Sequence, residues 1–448
     1  MWPRILGLAL AAVASATAPG AGADEQTRPP LRVVRDPALP QDDTALDFEI
    51  GRALFERVWV AAPASTQSAD GLGPLFNASS CAACHPGGGR SILEAAYGDD
   101  SPGRIVRLGG ATPGSAHPDP VYGEQLQTEA VPGLGPEAVI KVRYADDQYL
   151  LADDTVVNLR RPHLRIEHLA RGPLDPGTRT SLRLAPAIQG IGPLDEIPAA
   201  QILAGADPDD RDGDGIKGRP NWIVDPASGA RQLGRFGWKA GQPSLANQDA
   251  HALFVDIGLS NPRFPDAAGD CTPAEADCRA APSGASPQFA DLEVPVQLTT
   301  AIDRFVAAAV LPPPASPDAT AGAGADLFAA AGCAGCHRPG FTLPAGPGQA
   351  ARHIAPYTDL LLHDMGDGLA DEMAEGAATR RDWRTAPLWG LGWALDANGE
   401  GALLHDGRAR SILEAVLWHG GEAEAARDKV IAMDGAERAA LIAFLKSL

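Results

Sequence analysis

The chain opens with one unbroken apolar run, ILGLALAAVASA, set behind Arg4 and ahead of the small-residue site Ala21-Gly22-Ala23 and the polar DEQTRPP. The run is shorter than the ~20 residues that cross a bilayer. It has the anatomy of a cleavable export signal, so residues 1–23 are expected to be removed and the mature protein to be periplasmic. Later apolar positions recur at helical spacing: GRALFERVW (51–59), LTTAIDRFVAAAVL (298–311), SILEAVLWHGG (411–421) and DGAERAALIAFLKSL (434–448). In the last of these, Leu441, Phe444, Leu445 and Leu448 fall on one helical face, and Asp434 with Glu437 form a capping arrangement. The Pro/Ala/Gly-rich PPPASPDATAGAGA after the second helix marks a boundary near residue 312. The expected fold is mainly α, with residues 24–311 and 312–448 as two units.

Composition sharpens this picture. Of 448 residues 50 are Gly and 40 are Pro, which favours long ordered loops between helices over an extended sheet. The 45% hydrophobic content excludes a disordered chain. A formal charge of −20 excludes nucleic acid and anionic membrane surfaces as partners, and no second apolar run long enough to span a membrane follows the first. Of six cysteines, Cys271 and Cys278 in CTPAEADC read as a local disulfide in an oxidising compartment.

The other four cysteines form two identical patterns, SSCAACHPGGGR at 79–90 and AAGCAGCHRPG at 330–340. Two thiols separated by two residues can add across the two vinyl groups of a haem, and the histidine that follows is placed to bind its iron. A thioredoxin-like pair needs a strand-to-helix setting that is missing here, and zinc needs further ligand pairs nearby. The patterns therefore predict two covalently bound haem c groups, at Cys81, Cys84 and His85 and at Cys333, Cys336 and His337.

The repetition extends outward. Gly51-Arg-Ala-Leu-Phe55 precedes the first site and Gly324-Ala-Asp-Leu-Phe328 the second; RLAPAIQGIG (183–192) downstream of the first resembles RTAPLWGLG (384–392) downstream of the second. Each half reads as one cytochrome c-like unit, the first enlarged by long loops and insertions. Separately, DDRDGDGIKGRPN (209–221) sets Asp210, Asp212 and Asp214 at alternating positions, the start of a calcium loop whose twelfth position is Asn221 instead of Glu.

These residues, with LLHDGRARSILEAVLWHGG and LGRFGWKAGQPSLANQ, resemble the bacterial di-haem cytochrome c peroxidase/MauG superfamily, in its di-haem oxidoreductase branch. The resemblance implies an electron-storing second haem and a peroxide-reacting first haem with a tryptophan between them. It places the second iron's sixth ligand 14 residues after the His of His-Asp-Gly, here His419, with His363 and Met365 as rivals. Two imidazoles would hold ferric iron more firmly than a thioether, lowering the potential. Trp238 and Gln248, ten residues apart, match the relay tryptophan and the distal glutamine. No Glu follows at the peroxidase spacing, so Asp256 and Glu196 are the candidates for proton transfer. His251 is either a hydrogen-bonding neighbour or a sixth ligand of the first iron. The implied substrate is hydrogen peroxide and the implied electron donor a small redox protein, a cytochrome c or a cupredoxin. The alternatives are MauG-like oxidation of a partner-protein residue and a non-catalytic di-haem electron carrier.

Overall fold

The computed structural model describes residues 33–37, 43–93, 101, 103–114, 117–225, 228–311, 319–346, 350–395 and 400–448. The expected signal at 1–23 and the expected boundary near 312 lie outside them. Along the described chain, helix α1 (Asp43–Glu56) leads to α2 (Cys81–Cys84), whose N-cap Ser80 accepts a hydrogen bond from the Ala83 N–H. The longer strands that follow are β1 (Arg104–Gly109), β2 (Val139–Leu150), β3 (Val156–Glu167) and β4 (Arg179–Leu184). Helices α3 (Leu245–Val255), α4 (Val296–Ala308) and α5 (Ala319–Ala331) come next, then the short strands β5 (Leu362–Asp364) and β6 (Asp382–Arg384). The chain ends in α6 (Ile412–Leu417), α7 (Glu424–Ala432) and α8 (Gly435–Ser447), the last opened by the expected Asp434–Glu437 capping box.

The sequence repeat has a steric basis. A Cβ on Gly51 would stand 2.2 Å from the Ala301 carbonyl oxygen, and one on Gly324 would stand 2.0 Å from that of Ala440. Each glycine therefore marks where the helix before an attachment motif crosses the last helix of its half, α1 on α4 and α5 on α8. The downstream repeats act alike: a Cβ on Gly192 would meet the Ala307 oxygen at 2.0 Å, and one on Gly392 the Lys446 oxygen at 2.1 Å. In both halves a turn is thus pressed against the carboxyl end of the closing helix.

Two large cores surround these crossings. One packs Phe48, Phe55 and Phe305, with ring centroids 5.0–5.2 Å apart, and takes in Leu343, Leu360 and Leu361 from the second half. The other joins Phe328, Tyr357 and Phe444 edge to face with Trp383 and Trp418, and takes in Leu151 and Leu159 from the first half. The halves therefore share their cores.

The expectation of a mainly α fold needs correction, since the structure is mixed, with 30% helix and 21% strand in short sheets. Much of the difference lies between His85 and Arg183. There β1 pairs with β4, and β2 with β3 in a twelve-residue antiparallel hairpin. The alternation was present in VIKVRY: Ile140 and Val142 are buried while Lys141 and Arg143 are not. The hairpin's far end lies on the second half, where Arg438 pairs with Asp153 and Arg410 donates to the Asn158 carbonyl. Cys271 and Cys278 are disulfide-bonded as expected, and among the described residues no helix is long and apolar enough to cross a membrane.

Candidate functional site

The first Cys-x-x-Cys-His opens onto a cavity of about 290 Å³, near the lower end for small-molecule sites. Cys81, Cys84 and His85 line it, together with Trp238, Gln248 and Asp256. Glu196 does not. Its side chain is 48% exposed and pairs with Arg352 at 2.8 Å on the surface, so its candidacy as a residue of this site is corrected.

The thiols speak against a redox dithiol. Cys81, Cys84, Cys333 and Cys336 are all unpaired. Burial, then the charges of Asp249 and Asp256, push Cys81 up to about 12, and burial pushes Cys333 up to about 11. A redox-active pair works with the opposite shift. Burial also lowers the pKa of His85, with the Pro186 carbonyl acting the other way, and its Nδ1 makes no hydrogen bond of good geometry.

The second attachment turn differs. His337 donates Nδ1–H to the Tyr357 carbonyl at 3.0 Å, and His419 donates Nδ1–H to the Ala415 carbonyl at 2.7 Å. Each bond leaves Nε2 as the ring's lone-pair donor, the tautomer a metal-ligating histidine adopts. Burial holds His337 down to about 4, and the nearby His419 pushes the same way, so the two rings sense each other. His363, the rival ligand, has no nitrogen to spare: Nδ1 meets Glu422 at 2.8 Å and Nε2 meets Asp359 at 2.9 Å. Burial opposes its charge, but Asp359, the Cys336 sulfur 3.6 Å from Nδ1, and Glu422 outweigh that and raise its pKa well above the usual value. Met365 packs at the edge of the second core. Free thiols beside the half-buried imidazole of His85 in a cavity, and beside two oriented imidazoles in the other half, are a donor set that fits two haems.

Between the two regions runs an aromatic line. Trp238 donates Nε1–H to the Leu184 carbonyl at 2.9 Å and meets His405 edge-on at 6.4 Å. His405 stacks on Trp383 at 3.7 Å and 10°. Burial drops the His405 pKa to about 3, so this ring is neutral at ordinary pH.

The cavity also holds charged groups that sequence spacing does not bring together. Glu375 lies beside Arg183 at 2.7 Å, and its carboxylate fills the space that a side chain at Gly241 would need, the Cβ position being 1.7 Å from Oε1. Burial works against its ionisation, but Arg183 and Arg107 outweigh it and keep the pKa below normal. Arg107 pairs with Glu124 at 3.0 Å, and Glu124 in turn holds His251 Nε2 at 3.0 Å. Burial alone would raise Glu124; His251 and Arg107 reverse this and bring it to about 2. Asp256 belongs to the attachment side, for its Oδ1 accepts from Gln125 Nε2 at 2.7 Å and its charge acts on Cys81, Cys84 and His85.

The carboxylates of Asp210, Asp212 and Asp214 converge to within 4.8 Å of one another on the surface. Asn221, at the twelfth loop position, is turned inward instead. It is buried and donates Nδ2–H to the Lys239 carbonyl at 2.7 Å and to the Glu375 carbonyl at 3.1 Å, bracing the Glu375 turn.

Two Cys-x-x-Cys-His turns, two oriented imidazoles and an aromatic line between the regions form an arrangement able to hold two redox cofactors. A family profile described as "Di-haem oxidoreductase, putative peroxidase" matches residues 127–448, and the chain belongs to that family. Two haems follow from the family; the match includes the second Cys-x-x-Cys-His and begins after the first. No curated protein matches the sequence. A solved structure described as "Crystal structure of a MauG-like protein associated with microbial copper homeostasis" aligns at 16% identity over 62% of this chain and 77% of that one, with a TM-score of 0.31. A likeness at that score bears on neither fold nor function here.

Proposed function

We propose that the chain is an exported c-type di-haem peroxidase. Haem is attached at Cys81 and Cys84 with His85 as ligand, and at Cys333 and Cys336 with His337 and His419 as ligands. The observation that carries this reading is the asymmetry of the two regions: a pair of oriented imidazoles in one, and in the other His85 beside its two thiols in a cavity lined by Gln248, Glu375 and arginines, where the second ring, His251, is held by Glu124. Haem bound in the cavity supplies an iron that exchanges electrons with peroxide. Everything else is work for the protein. Gln248 and Arg107 orient the peroxide, and Glu375, ionised beside two guanidiniums, takes a proton from one peroxide oxygen and returns it to the other as the O–O bond breaks. Glu375 suits this task better than Asp256, whose carboxylate is held by Gln125 on the attachment side. Reduction of peroxide to two waters takes up two protons and two electrons, the electrons passing from a reduced cytochrome c or cupredoxin through the second site and Trp238. The acidic surface suits a basic donor. Asp210, Asp212 and Asp214 are the proposed ligands of a calcium ion; calorimetric titration, in which Asp212→Asn abolishes the heat of binding, tests that assignment.

Steady peroxide consumption by the haem-loaded protein tests the main proposal. It should depend on reduced cytochrome c or cupredoxin and saturate with it. Consumption that instead leaves oxidised residues on a partner protein would assign MauG-like chemistry, and no consumption in any redox state would leave an electron carrier.

A further inference from the structure

Five arginines line the cavity, and they differ in how their charge is met. Arg107 and Arg183 each face a carboxylate, Glu124 at 3.0 Å and Glu375 at 2.7 Å. Arg235 donates Nη1–H to the carbonyls of Leu194, Asp195 and Ile197, with Asp195 the acidic group that acts on it. Arg90 and Arg384 also have only carbonyl acceptors, and these two adjoin Trp238. Arg90 donates Nη1–H to the Ala402 and Leu404 oxygens at 3.0 and 2.9 Å, and Arg384 donates to the Gly237 oxygen at 3.0 Å and to the Thr385 oxygen at 3.1 Å. Among the described residues neither guanidinium makes an ion pair. The acidic group that acts on Arg384 is Asp359, already bound to His363 at 2.9 Å. Burial pushes both arginines down to about 10, the mark of cations that have lost water without gaining an anion.

Both side chains are half-buried and line the cavity, and two such cations without a counter-ion in one cavity suit an anionic ligand. Haem brings two carboxylates on flexible arms, and the planar guanidinium fork matches a carboxylate with paired hydrogen bonds. Both arginines also adjoin Trp238: the Arg90 Cζ lies 5.2 Å from the indole centroid, and the Arg384 N–H donates to the Trp238 carbonyl at 2.9 Å.

We propose that Arg90 and Arg384 anchor haem carboxylates beside Trp238, so that the cofactor itself supplies the negative charge missing from this part of the protein. The inference rests on the di-haem reading above and extends it. An unmatched cation against the indole opposes withdrawal of an electron from the ring, whereas a carboxylate on that cation removes the opposition. Arg90 is in this sense a positioning residue: it holds the cofactor and sets the field in which Trp238 works.

The test uses the full-length, haem-loaded protein with Arg90→Met and Arg384→Met, Arg235→Met as the comparison, and Arg90→Lys and Arg384→Lys in case a Met variant loads poorly. Resonance Raman spectra of the ferrous proteins report the carboxylate-bending band, which falls in frequency when a hydrogen bond to the haem carboxylate is lost. Each Met variant should shift that band downward and lower one haem midpoint potential. Each Lys variant should shift the band while largely keeping the potential, and Arg235→Met should move neither. Unchanged bands and potentials in Arg90 and Arg384 variants that carry two haems would overturn the inference and leave the di-haem reading intact. A parent protein with no covalent haem, by alkaline pyridine spectrum, would overturn that reading and this one together.

Discussion

Both attachment turns follow a helix pinned by a glycine against the last helix of its half, yet the surroundings of His85 and His337 are unlike. His337 is fixed to the Tyr357 backbone carbonyl and feels His419, and the Tyr357 ring packs edge to face with Phe328 and Phe444. His85 lacks a well-formed bond at Nδ1, and its cavity contains Gln248, His251, Glu375 and arginines. One scaffold is thus packed in two different ways, to which the proposed function gives two tasks. A rigid bis-imidazole site suits electron storage, because little moves when charge changes. A cavity that sets His85 near Gln248, Glu375 and arginines suits chemistry on a small molecule.

The largest expected effect strikes the cavity alone. Glu375→Gln keeps the shape of the side chain and removes its base. The rate of peroxide consumption per enzyme should fall by about 10²–10⁴-fold, with the spectrum of the second site unchanged. Asp256→Asn should cost far less, and an equal loss in both variants would contradict the assignment.

Changes to the shared scaffold should strike both halves alike. Gly51→Ala and Gly324→Ala each drive a methyl group into a carbonyl of the crossing helix. Both should lower stability by about 1–3 kcal/mol in chemical denaturation. A marked effect in one half only would break the correspondence of the two helix pairs.

A third change probes the line between the regions. His405 is neutral in the folded protein, its pKa held down to about 3 by burial, against about 6.5 unfolded. The unfolded chain therefore binds the extra proton between those values, and stability from this group, fully present above the unfolded pKa, is lost as pH falls from about 6.5 toward 3. From pH 6.5 to 4.5 the loss is about 2 kcal/mol. His405→Phe preserves a ring against Trp383 and should flatten this part of the acid limb. His363, with its raised pKa, acts in the opposite sense and only above the unfolded value, so it does not obscure the window.

How much of this could be read beforehand follows the range of the interactions. The attachment turns and the capping box are local, and spacing alone revealed them. The correspondence of Gly51 with Gly324 was visible as a repeated pentapeptide, though the crossing that explains it was not. Trp238 and Gln248 came from a resemblance, and the fold brings both to the cavity that His85 lines. Glu375 escaped because its turn belongs to the second half and is carried into the first half's cavity by Asn221, an association with no short-range signature. His405 was in view within LLHDGRAR, but only the stack on Trp383 gives it a role. The β2–β3 hairpin was missed for a different reason. Its alternation is clear near Ile140 and Val142 but is lost in the exposed, charged middle, where burial no longer selects one face.

The account stands on the inequality of the two iron sites, and low-temperature EPR of the ferric, fully haem-loaded protein measures that inequality directly. One low-spin and one high-spin signal are predicted, with the low-spin signal lost in His419→Ala and the high-spin signal unaffected. Two low-spin signals in the parent would mean that a protein side chain closes the first iron, and would contradict the account.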